Sequence, residues 1–147
     1  MNKLLIVLVG VGLGLCLRKI KYIAPVSPLI ITSKFGKRIK PYDHSQAEIH
    51  NGIDIKAVTG TPVKAATNGI ATVWSDKING NGIKIKADNG LTFGYAHLSK
   101  SLIKNGEKVK AGQIIALTGN TGRSTGAHLH FSIKDKTGHY LNPSLYV

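Results

Sequence analysis

The chain has 147 residues, enough for one domain with a real core but not for two of full size. Hydrophobic residues make up 42% and charged residues 18%, and 17 glycines against one tryptophan and three phenylalanines favour many turns over long helices, so the expectation is an all-β protein. Twenty Lys and Arg against seven Asp and Glu give a formal charge of +13, which predicts attraction to a polyanion, yet no basic recognition helix, zinc-finger spacing or aromatic RNA-binding motif accompanies it, which speaks against a specific nucleic-acid reader.

From Leu4 to Leu17 the run LLIVLVGVGLGLCL carries no charge, preceded by Lys3 and followed by Arg18, Lys19 and Lys21. It is short for a membrane-spanning helix and has the length of the apolar core of a secretion signal or a marginal anchor, so residues 1–24 are expected to export the protein or attach it to a membrane. The location is then extracytoplasmic. The single Cys16 within this run excludes an intrachain disulfide framework and a multi-cysteine zinc site. Pro25-Val26-Ser27-Pro28 reads as an extended linker because its prolines prevent helix continuation, and the domain is expected over 29–147.

Leu29 to Ser33 is mostly β-branched and lacks helical spacing, which predicts a short strand. Phe35-Gly36-Lys37-Arg38 reads as a turn, and the polar segment Lys40 to Glu48, with Pro41, as a surface loop. Gly52 and the β-branched Ile53 and Ile55 favour a turn entering a strand over a helix. Val63 to Ala66 and Gly69 to Trp74 are expected as strands flanking an Asn68-Gly69 turn. Ile83-Lys84-Ile85-Lys86 alternates strictly, implying one buried and one wet face, and Leu91 to Leu98 follows the Asp88-Asn89-Gly90 turn as another strand. Ser99 to Lys104 suits a short turn or helix, Gly106 to Gln113 a glycine-bracketed corner, and Ile114 to Thr118 a strand. Short strands at this spacing favour a barrel or sandwich-like β domain.

After the loop Gly119 to Gly122 comes Ala127-His128-Leu129-His130-Phe131. In a strand, residues two apart share a face, so His128 and His130 present two imidazoles side by side while Leu129 and Phe131 point the other way. Of six histidines, His44 and His139 lie in polar, loop-like contexts and read as surface residues. Two imidazoles and a carboxylate suffice as the inner shell of a catalytic Zn²⁺, and His50, Asp54 and one of the final pair could supply them. His97 and the other member of the pair are left for proton transfer or oxyanion stabilisation.

Phe35-Gly36-Lys37-Arg38, His50-Asn51-Gly52-Ile53-Asp54, Gly60-Thr61-Pro62-Val63, Tyr95-Ala96-His97-Leu98-Ser99, Gly119-Asn120-Thr121-Gly122 and His128-Leu129-His130 stand in an order and spacing that resemble the lysostaphin-type (LytM-like) zinc endopeptidases of bacterial peptidoglycan. The resemblance covers essentially all of Ile31 to Tyr146. It implies a mostly antiparallel β domain (the duplicated hybrid motif) with a groove across a sheet, for which Lys40 to Glu48 and Asn120 to Gly126 are the expected walls. It further implies that His50, Asp54 and His130 bind Zn²⁺, that His97 and His128 are the non-ligand catalytic pair, and that peptidoglycan is the substrate. Ser132 stands where many relatives carry Glu or Gln.

Two rival readings are weaker. A non-catalytic wall-binding or hydrolase-activating relative typically lacks one or more of the five residues, and all five stand here. A biotinyl or lipoyl carrier needs a lysine at a hairpin tip, where the available turn reads Thr67-Asn68-Gly69.

Overall fold

The computed structural model describes residues 21–147 and, ahead of them, only the antiparallel backbone pairing of β1 (Ile6–Val7) with β2 (Arg18–Lys19). The export or anchor segment expected at Leu4 to Leu17 otherwise lies outside the described residues. Among the described residues no helix is long and apolar enough to cross a membrane.

Strands follow in the order β3 (Ile31–Ser33), β4 (Gly36–Lys40), β5 (Asp43–His50), β6 (Ile53–Lys56), β7 (Pro62–Lys64), β8 (Gly69–Asp76), β9 (Gly80–Lys86), β10 (Thr92–Ser101), β11 (Lys108–Val109), β12 (Ile114–Thr118), β13 (His128–Lys134) and β14 (Tyr140–Leu141). A single 3₁₀ turn, Pro143–Leu145, is capped by the Asn142 side chain. The all-β, mostly antiparallel expectation holds. The architecture, however, is one branched ten-stranded sheet in the order β11-β8-β9-β10-β13-β6-β3 rather than a closed barrel: β10 passes a bulge between Leu98 and Lys100 and its end pairs with β12, which also carries β7.

Alternation decides which face is buried. Ile83 and Ile85 of β9, Phe93 and Tyr95 of β10, Ile53 and Ile55 of β6, and Leu129, Phe131 and Ile133 of β13 are all fully buried on one side of the sheet. Each contributes about 1.5–3 kcal/mol by leaving water. Tyr95 keeps its hydroxyl satisfied in this core by accepting from the Ala66 amide at 2.8 Å. The intervening residues, among them Lys84, Gly94, His130, Ser132 and Lys134, form the open face.

Several local expectations give way to pairing between distant segments. Phe35 to Arg38 is not a turn, nor is Lys40 to Glu48 a loop: β4 and β5 make a polar hairpin with Arg38 opposite Glu48. Such a hairpin has no buried face and hence no apolar alternation to reveal it. The Asn68-Gly69 signal does not join a hairpin either, because β7 pairs with β12 and β8 with β9. The turn or short helix expected from Ser99 to Lys104 begins later, since β10 runs on to Ser101.

Pro25 to Pro28 bends rather than running extended as its prolines suggested, with the Ser27–Pro28 peptide cis, and it is packed. Val26 is only 3% exposed, the Pro25 carbonyl accepts from Lys64 N at 2.8 Å, and the Tyr22 ring lies edge-on to Phe93 at 4.7 Å. The packed body therefore reaches back to Tyr22, ahead of the start expected at Leu29.

Candidate metal centre and cleft

The β6–β13 ladder sets Asp54 directly opposite His130. Along β13 the half-buried His128 and His130 alternate with the buried Leu129 and Phe131, so both imidazoles rise from the open face. His50 ends β5 and is brought over them by the tight passage through Asn51 and Gly52. A Cβ at Gly52 would lie 2.3 Å from the Phe131 carbonyl oxygen and 2.9 Å from the His130 ring, so the chain passes there only as glycine.

Three donor atoms meet at one point. His50 Nε2 lies 3.2 Å from Asp54 Oδ1, His130 Nδ1 2.9 Å from the same oxygen, and the two nitrogens are 3.1 Å apart. His50 Nδ1 donates to the Lys34 carbonyl at 2.8 Å, which fixes its tautomer and leaves Nε2 with a lone pair. Arg38 Nη1 holds Asp54 Oδ2 at 2.9 Å while its Nε pairs with Glu48 at 2.7 Å, so Oδ1 is the oxygen turned to the imidazoles. Converging lone pairs repel unless a cation lies among them. Bonds of roughly 2.0–2.1 Å to a tetrahedral ion would separate its ligands by about 3.3 Å, close to the spacing found, so this set fits a divalent metal. With protons rather than a metal on these two nitrogens, burial would raise the Asp54 carboxyl but hydrogen bonds from His130 and His50 hold it well below the usual carboxylate range.

His97 and His128 stand beside this point with ring centroids 4.7 Å apart. His128 Nδ1 lies 2.8 Å from the Gly126 carbonyl, to which it donates, and 3.1 Å from Ser124 Oγ; its Nε2 faces Asp54 Oδ1 at 3.6 Å. His97 adopts φ +61°, the one non-glycine residue with positive φ among the described residues. Its amide donates to Asn79 O at 2.9 Å and its Nδ1 to Thr121 O at 2.8 Å, so two loops together hold a backbone conformation that costs energy. Burial lowers the His97 imidazole below its ordinary 6.5, the Thr121 bond opposes this, and the neighbouring His128 and His130 lower it further.

The five expected residues are thus brought together: Asp54, His97, His128 and His130 line one cleft with Arg38, Tyr42, Asn79 and Arg123, and His50 is buried beside Asp54 and His130. The β4–β5 hairpin and the 119–127 loop wall it, and they meet where the Arg123 guanidinium lies 5.0 Å over the Tyr42 ring. His44 is exposed, as expected, and the His139 side chain is 81% exposed. Sequence reasoning assigned no role to Arg38, Thr121 or Ser124. The first had a signal, being one of only three arginines among seventeen lysines and so suited to holding a carboxylate; the carbonyls of Lys34, Gly126 and Thr121 had none.

Two imidazoles and a carboxylate on an open sheet face, with two more imidazoles in reach, are the groups a metal-dependent hydrolase requires. The chain belongs to peptidase family M23, whose model matches residues 48–143. It is 40% identical over 122 residues to the DD-carboxypeptidase/endopeptidase Mpg of Neisseria meningitidis serogroup B, covering 80% of this chain and 28% of that protein. It is 38% identical over 120 residues to the peptidoglycan DD-endopeptidase ShyC of Vibrio cholerae serotype O1, with the same two shares, 80% and 28%. A solved zinc-containing peptidase from Vibrio cholerae aligns with a TM-score of 0.74 at 36% identity, over 81% of this chain and 37% of that one. The chain therefore spans little more than a quarter of the curated relatives it matches.

Proposed function

We propose that this chain is a zinc endopeptidase that hydrolyses amide bonds in the stem peptides or cross-links of bacterial peptidoglycan. The observation that carries the reading is the convergence of His50 Nε2, Asp54 Oδ1 and His130 Nδ1 beside two further imidazoles in a cleft open to a peptide. His50, Asp54 and His130 would hold Zn²⁺, which three nitrogen and oxygen donors suit. When bound, zinc supplies Lewis acidity that brings a water pKa towards about 7 and polarises a carbonyl.

The chain's own residues handle the protons and the orientation. His128 and His97 each donate Nδ1–H to a main-chain carbonyl, Gly126 and Thr121 respectively, leaving Nε2 as the basic nitrogen. One accepts the proton of the attacking water and the other, once protonated, donates to the developing oxyanion or the leaving amine. Arg38 holds Asp54 Oδ2 and so keeps Oδ1 turned inward. A peptide in the cleft runs between the β4–β5 hairpin and the 119–127 loop.

Peptidoglycan as substrate is supported by the similarity to the Vibrio peptidoglycan DD-endopeptidase and implies an extracytoplasmic site of action, with residues 1–24 as the exporting or anchoring segment. The test is digestion of purified peptidoglycan by the zinc-loaded chain, with identification of the new amino termini. His130→Ala is expected to lose both zinc and hydrolysis, whereas His128→Ala loses hydrolysis and retains most zinc. Intact wall hydrolysis by His130→Ala would end the enzyme reading, and equal zinc loss in both would overturn the division of roles.

A further inference from the structure

Beside the metal centre the open face of the sheet holds a second cavity of about 340 Å³, which shares His130 with the cleft. Its floor is Gly94, in register with Lys84 on one side and Ser132 on the other. A Cβ at Gly94 would lie 2.5 Å from Ser132 Oγ, so the floor is kept low by the missing side chain. One wall is Trp74, laid against Gly82 so closely that a Cβ there would be 2.2 Å from the indole, with Lys84 Nζ 5.1 Å from the ring centroid. The opposite wall is Tyr140, with Lys134 Nζ 4.4 Å over its ring.

The two ammonium groups and the Ser132 hydroxyl of this cavity have no hydrogen-bonded or salt-bridged partner among the described residues. Neither Lys84 nor Lys134 is in a salt bridge among the described residues. Asp76, the one carboxylate on the rim, is taken up by four hydrogen bonds from Ile78 and Asn79. Two cations on aromatic faces, flanking a floor with a free hydroxyl, make a receptor for an anion small enough to sit over a glycine.

We propose that this cavity is a substrate subsite that takes a carboxylate of the peptide, adjacent in space to the scissile bond. The proposal rests on the peptidase reading for its ligand class. Lys84 and Lys134 pair with the two carboxylate oxygens, Ser132 Oγ donates a hydrogen bond, and the aromatic walls exclude water from the pair. The subsite thereby sets which peptides are cut, favouring those with a free carboxyl next to the cleaved bond over their amidated forms.

The chain contains one tryptophan, and it lies in this wall, so its fluorescence reads occupancy directly. The full-length, zinc-loaded protein would be titrated with a synthetic peptidoglycan stem tetrapeptide, as the free acid and with its carboxyls amidated. In parallel, kcat and KM would be measured on cross-linked muropeptides of both kinds. Tighter binding and a lower KM for the acid, by about tenfold, are expected from a charge-assisted pair, with kcat little changed. Lys84→Met and Lys134→Met should each collapse that preference, and Lys84→Arg should restore much of it, with melting temperature checking the fold of each variant. Equal binding of acid and amide by the wild-type chain would overturn the subsite even with hydrolysis intact, as would an equal fluorescence response to inorganic phosphate. Absence of hydrolysis with the preference in binding retained would instead remove the peptidase reading and leave a carboxylate site.

Discussion

At the scale of single residues, the cleft works by giving chemically similar side chains different surroundings. His50, His128 and His97 each direct Nδ1 at a main-chain carbonyl, whereas His130 turns Nδ1 itself towards Asp54. Arg38 is the least expected member, since it faces Asp54 and Glu48 at once. Its removal frees Asp54 to rotate, so Arg38→Ala should weaken zinc binding by about 10–100-fold, measured by competition with a chromophoric chelator. Unchanged zinc affinity would reduce Arg38 to a hairpin ion pair. The pH dependence follows from His97: because burial lowers its pKa, the neutral, proton-accepting form persists on acidification past 6.5. With His97 as the proton acceptor, the acid limb of kcat should therefore fall below pH 6.5, with zinc content followed across the same range; a midpoint above that value with zinc retained would assign the acceptor role to His128.

At the scale of elements, loops are fastened to strands where the chemistry requires it. Asp76 ties the turn after β8 through Ile78 and Asn79, and Asn79 in turn holds the strained His97 backbone. Gly80 and Gly122 pass so close that a Cβ on Gly122 would lie 2.3 Å from the Gly80 nitrogen, which locks the loop carrying Thr121 to the start of β9. At Gly52, an added methyl has to displace both the Phe131 carbonyl and the His130 ring. Gly52→Ala is expected to cost about 1–3 kcal/mol in a denaturant melt and to loosen the metal site, because the strand that carries His130 and the ring itself must both give way. Wild-type zinc affinity in that variant would show that neither shift reaches the metal ligands. The hairpin of β4 and β5 was invisible to pattern reading because both its faces are wet and its stability comes from cross-strand partners such as Arg38 and Glu48.

At the scale of the whole molecule, one apolar face of a single sheet organises everything, and Tyr22 and Val26 pack with it. Val26→Asp should destabilise the protein by about 3 kcal/mol or more, as a charge forced into that core without a partner; an unchanged melting temperature would mean that the segment merely rests on the surface. The net charge of +13 predicts adsorption to an anionic wall that weakens as salt rises, and replacing exposed lysines remote from the cleft by glutamine should lower it at low salt. Much of this was readable in the sequence: the alternating strands β9 and β13 and the surface placement of His44 and His139 follow from residue type and spacing within a few positions, and the set of five site residues from motifs whose order resembles a known family. Other features were not, because their causes lie far along the chain. Asp54 meets His130 through a ladder joining segments 76 residues apart, His97 takes its conformation from Asn79 and Thr121, and Trp74, Lys84, Lys134 and Tyr140 share a cavity only because β8, β9, β13 and β14 belong to one sheet. Spacing in sequence fixes which side of its own strand a residue faces; which neighbours it finds there depends on strand order and register, which arise only when the sheet is assembled.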